Sequence, residues 1–181
     1  MPTSPRLREL DRQLVAVARP ALEPLGFLAG SHRGFRRIQA GAHGSLVHIV
    51  HFQVGIKWLA GKFTANLVVY HSEFCPHPGT VAPEAASFGD GFLALWTRVA
   101  KLEPVRPSMI EKLLRRTPEP EDRWWPQSDK PEEMAAAVRE VVALVLQHAP
   151  PWFETHGTED ACRQEFERVR ARATIKAHQA K

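Results

Sequence analysis

Four side chains that can make hydrogen bonds, His51, Gln53, Thr64 and Asn66, interrupt the apolar run HIVHFQVGIKWLAGKFTANLVVY at residues 48–70. Gln, Thr and Asn offer uncharged donors and acceptors, which suits recognition of a polar ligand or a peptide backbone. His51 adds a group that exchanges protons near neutral pH, so acid/base chemistry is a second use. Such chemistry needs an oriented partner, and the nearest carboxylate candidates are Glu73, Asp90 and Asp122, all outside the run. The adjacent tryptophans Trp124 and Trp125 offer an aromatic anchor at the margin of a binding face, or core packing for one of the pair.

Other groupings point to weaker chemistry. Arg33, Arg36 and Arg37 surround Phe35, and Arg168, Arg170, Arg172, Lys176 and Lys181 form a basic C-terminal run. Either could attract phosphate, which makes nucleic-acid association through the basic ends an alternative function without sequence specificity. His71, Glu73, Cys75 and His77 carry metal-ligand chemistry but lack the paired spacing of a zinc site, so no metal or other cofactor is expected. GSHRGF and GAHGS lack phosphate-loop spacing, and neither Gly-x-Ser-x-Gly nor His-Glu-x-x-His occurs.

The two halves of the apolar run read as strands over residues 46–54 and 62–71, joined by GIKWLAG. Pairing through the centre of that loop sets His51 opposite Asn66 and Gln53 opposite Thr64. One face then holds Val50, Phe52, Val54, Phe63, Ala65, Leu67 and Val69, a core surface. The other holds the four polar residues toward the loop and Val47, Ile49, Val68 and Tyr70 at the far end, so part of it must be covered. A third strand is expected over residues 34–40, with Arg36 and Arg37 on opposite sides.

Helices bracket these strands. Ser4-Pro5 opens the first, with Leu7, Leu10, Leu14, Val17 and Ala21 at helical spacing; Pro20 is expected to kink or end it early. Residues 92–102 and 108–116 have the spacing of two short helices. Asp129 and Glu132 resemble a capping box ahead of a stripe of Met134, Val138, Val141 and Val145, widened by Val142 and Leu146 and stopped by Pro150-Pro151. Thr158 caps a last helix.

The fold class is therefore α+β: a small antiparallel sheet of three or more strands, with N- and C-terminal helices packed on its Phe52 face. The length of 181 residues fits one domain, taken as residues 1–167, with residues 168–181 as a basic, frayed tail. The basic excess sits at the ends, with seven Lys/Arg against three Asp/Glu in residues 1–40. Two distant cysteines form no disulfide framework, and no long apolar run suggests a membrane segment, so a cytoplasmic protein is expected.

LEPLGFLAGSHRGFRR, HIVHFQ, KFTANLVVY and DRWW together resemble an uncharacterised bacterial family known as domain of unknown function 4304. The likeness spans most of residues 20–72 and 122–156, leaves 73–121 without a counterpart, and makes Gln53 and Asn66 pattern positions of that family. It implies no activity. The leading expectation is a non-enzymatic binding protein for an unknown ligand or protein partner, using His51, Gln53, Thr64 and Asn66 with Trp124 or Trp125 at the margin. The rival is a small hydrolase or transferase with His51 as acid/base.

Overall fold

A computed structural model describes residues 4–30, 32–75, 77–90, 95–104 and 122–179. Helix α1, Pro5–Gln13, begins as its sequence dictates: the Ser4 hydroxyl accepts the Leu7 N–H at 3.3 Å, and Pro5 occupies the first turn, where its missing N–H costs nothing. Pro20 does not end the helical stretch. A π turn at Leu14–Ala18, in which the Arg19 N–H reaches back to Leu14 O, widens the coil. The chain then continues as α2, Arg19–Leu22, with Pro20 in its opening turn. Leu10, Leu14, Ala18 and Leu22 stay buried throughout, so the apolar stripe survives the change of pitch. Gly26, at φ +81°, supplies the left-handed residue that closes the stretch.

Six strands follow: β1 Leu28–Ala29, β2 Gly34–Gly41, β3 Gly44–Val54, β4 Lys62–His71, β5 Trp96–Arg98 and β6 Trp125–Pro126. They form one antiparallel sheet in the order β1-β2-β3-β4-β5, with β6 paired to the start of β4. The β3–β4 register is the expected one, His51 opposite Asn66 and Gln53 opposite Thr64. Helical spacing over residues 92–102 was misleading. Trp96–Arg98 is instead a strand, followed by a 3-10 turn at Val99–Leu102, because the open edge of β4 provides ladder partners that local propensity does not anticipate. The helix expected over 108–116 lies outside the described residues.

Helix α3, Pro131–His156, carries the buried stripe Met134, Val138, Val141 and Val145 against the sheet, joined by Val142. Leu146 lies one step round the helix and is exposed. Its start differs from the expected Asp129 box: the Ser128 hydroxyl accepts the Lys130 N–H at 3.1 Å and donates to Glu133 at 2.8 Å. Pro150 and Pro151 also fail to stop it. Two lost ladder bonds are outweighed by Trp152 and Phe153, which the continued helix buries, each large apolar side chain being worth about 1.5–3 kcal/mol. Helix α4, Glu159–Gln179, is capped by Thr158, whose hydroxyl accepts the Ala161 N–H at 3.1 Å. Its backbone is helical past residue 168, where a frayed tail was expected. Among the described residues, no helix is long and apolar enough to cross a membrane.

The helices and the Phe52 face of the sheet enclose the main core. On the opposite face, Val47, Ile49, Val68 and Tyr70 at the apolar end meet Cys75 and Ala86 in a second, smaller cluster. The polar end of that same face is where the site must be sought.

Candidate functional site

Three strand pairings place Gly34, His51, Asn66 and Arg98 in one row across the second face, with Gln53 and Thr64 opposite each other one step nearer the β3–β4 loop. All four expected polar residues are therefore together, but they do not share a role. Thr64 and Asn66 are fully buried and form the floor. Thr64 donates to the Arg123 carbonyl at 3.4 Å. Asn66 donates through Nδ2 to Gln53 Oε1 at 3.0 Å, while its Oδ1 is buried with no partner among the described residues. Gln53 and His51 are half-buried and form the accessible rim.

The His51 ring stacks on Phe88, with centroids 5.1 Å apart and planes at 21°. Burial lowers its pKa to about 4, aided by the charges of Arg33 and His32 and opposed by a hydrogen bond to the His32 backbone. The imidazole is thus neutral at physiological pH. Its Nδ1 is buried and has no partner among the described residues, so it is an acceptor in waiting. Neither Glu73, Asp90 nor Asp122 is among the charges acting on it. Asp90 is held by the Ser87 N–H and hydroxyl at 2.8 and 2.6 Å, and Asp122 is ion-paired with Arg98.

Arg98, Phe88 and Trp96 were not singled out by the sequence, yet they complete the surface. The Arg98 guanidinium lies over Trp124 at 4.9 Å and Trp96 at 5.6 Å, and Trp96 meets Phe88 edge-on at 5.6 Å. A strip of half-buried groups thus runs from His51 through Phe88, Trp96 and Arg98 to Trp124. Strand alternation would have put Trp96 and Arg98 on one face had the strand been recognised; nothing in the sequence marks Phe88. The tryptophan pair divides as alternation requires. Trp125 is opposite Phe63, points into the core and is 2% exposed, so it does not belong to the site margin. Trp124 faces the strip, with its indole Nε1 buried and unpartnered among the described residues.

The other candidates do not converge. Arg33 is held by both Asp11 oxygens at 2.5 and 3.2 Å. Arg37 lies on the core side, over the Phe27 ring and 2.9 Å from His48 Nδ1, whereas Arg36 is on the second face. These three arginines therefore form no common patch. His71 is buried, its Nδ1 accepting the Glu73 and Phe74 N–H groups at 3.1 and 3.2 Å, and the Cys75 thiol is pushed upward by burial. Among the described residues, no group of three or more His, Cys, Asp or Glu side chains could hold a metal ion.

Among the described residues, the site therefore combines a buried polar floor with unmet hydrogen-bonding capacity, a half-open Gln53/His51 rim and an aromatic strip that carries Arg98. No family model, curated protein or solved structure matches the chain.

Proposed function

We propose that this protein is a non-enzymatic, cytoplasmic binding module whose site is the polar and aromatic half of the second sheet face. The observation that carries this reading is the fully buried Asn66 carboxamide, whose oxygen has no partner among the described residues. Folded proteins satisfy the great majority of such groups, because an unsatisfied one costs about 1–3 kcal/mol. A bound molecule that donates to Asn66 Oδ1 or His51 Nδ1, and stacks on Trp124 or Phe88, would use groups that have no partner among the described residues. Two free, buried cysteines are in keeping with a reducing compartment. The resemblance to domain of unknown function 4304 fits the same reading, since Gln53 and Asn66 fall within the motifs that carry it.

An acid/base role for His51 has less support. A group whose pKa burial lowers to about 4, with no carboxylate of the described residues among the charges that act on it, is a weak base at neutral pH and is not charged for use as an acid. Screening small polar and aromatic molecules and short peptides by thermal shift tests the proposal, with wild type compared against Gln53→Ala and Arg98→Gln. The expected result is a stabilising compound whose effect falls at least about tenfold in apparent affinity in either variant, that is by about 1.4 kcal/mol. Binders indifferent to both substitutions would place the site elsewhere.

A further inference from the structure

The two edges of the sheet are built differently. The β4 side ends in β5 and β6, three and two residues long, and carries Arg98 and Pro126, features that discourage further pairing. The β2 side has no such protection. Strand β1 covers only Phe35 and Arg36, so Ile38, Gln39, Ala40 and Gly41 are exposed and have no partner on their outer side among the described residues. These four residues carry no charge, no proline and no bulge.

Backbone direction along this edge follows from two hydrogen bonds. Gly34 O accepts the Gly30 N–H at 2.7 Å on the outer side, while Arg33 O accepts the Phe52 N–H at 3.1 Å on the inner side. In an antiparallel strand alternate residues turn both groups the same way, so Ile38 and Ala40 direct their N–H and C=O outward. Beside them lies a groove of about 310 Å³ lined by Leu28, Arg36, Ile38 and Glu84 together with Gly26 and Ala29. Leu28 is 66% exposed and Ile38 43% exposed, large apolar side chains next to an open ladder.

We infer that this edge pairs with a second copy of the chain, β2 against β2 about a twofold axis through Gln39. Such a register sets Ile38 opposite Ala40 of the partner subunit and the reverse, so all four outward backbone groups at each pair are used. The edge is uncharged at its centre, so no like charges face one another there. The pairing is short, so the dimer is a weak one that forms as concentration rises.

Sedimentation equilibrium over a wide concentration range tests this, starting from the monomer mass of 20.3 kDa. The expected result is a mass rising toward twice that value, with dimerisation weakened at least about tenfold by Ile38→Lys and by Ala40→Pro. Because the Ala40 N–H points outward, proline there removes an edge donor and leaves the β2–β3 ladder intact; circular dichroism checks the fold, and Ile38→Lys, at an exposed position, gives the same test without a backbone change. A wild-type protein that stays monomeric at the highest soluble concentration overturns the inference. So does a dimer that both well-folded variants form as readily as wild type.

Discussion

Asn66 is the residue on which the functional reading turns. If its oxygen is kept for a ligand, the free protein is less stable than it could be, as is common where binding is selected over stability. Asn66→Leu is therefore expected to leave unfolding free energy within about 1 kcal/mol of wild type or to raise it, because the rim residue Gln53 can turn to water. Urea denaturation measures this, and a loss of about 3 kcal/mol would mean that Asn66 serves the scaffold. His48 gives the contrast of a buried polar residue that is fully used. Arg37 can only donate, so His48 Nδ1 accepts at 2.9 Å and its Nε2–H donates to Gly157 O at 2.7 Å, fixing the tautomer. Burial, assisted by the Arg37 charge, lowers its pKa to about 4 against an ordinary value of 6.5, so the unfolded chain takes up the proton first. The stability this contributes is present in full above pH 6.5 and is lost as pH falls toward 4, by at most about 3 kcal/mol. A proton NMR titration in which His48 shifts near pH 6.5 would contradict this.

At the scale of elements, what could be read from sequence was what depends on local periodicity and pairing symmetry. The β3–β4 register was legible because seven loop residues with a glycine at each end leave one symmetric pairing, and alternation then decides every face. Strand β5 was illegible because the helical spacing of Phe92, Leu95, Trp96 and Val99 masks the strand preference of Trp96 and Thr97, and its pairing depends on the edge of β4. Pro150-Pro151 misled for a related reason, since the buried Trp152 and Phe153 beyond them are a tertiary compensation, whereas at Pro20 the helix changes pitch through a π turn without ending. The α3–α4 joint adds a sharp steric test. A Cβ at Gly157 would come within 2.6 Å of His48 Nε2 and 2.7 Å of Phe153 O, so Gly157→Ala is expected to cost about 1–3 kcal/mol in urea unfolding. Trp125→Ala, which removes the core side of the tryptophan pair, is expected to cost about 3–5 kcal/mol, whereas Trp124→Ala should cost much less because Trp124 lies on the half-buried strip.

The whole molecule is a sheet whose two faces are treated unequally. Three long helical segments and the Phe52 face make the main core, so stability is concentrated there. Among the described residues, the apolar end of the second face packs with Cys75 and Ala86, with Phe88 and Trp96 beside them, while its polar end carries the hydrogen-bonding groups. The four polar residues were legible as a cluster in the sequence, but their division into floor and rim was not, since it depends on Arg123, Phe88 and Arg98 arriving from distant segments. The direct measurement is a fragment screen read by two-dimensional NMR on isotope-labelled protein. A binding site on this face predicts that hits shift the side-chain amides of Gln53 and Asn66 and the indole N–H of Trp124, while the buried Trp125 indole stays still. Hits that leave those amides and Trp124 unmoved, and instead perturb the cavity between Asp11 and Arg33, would contradict it.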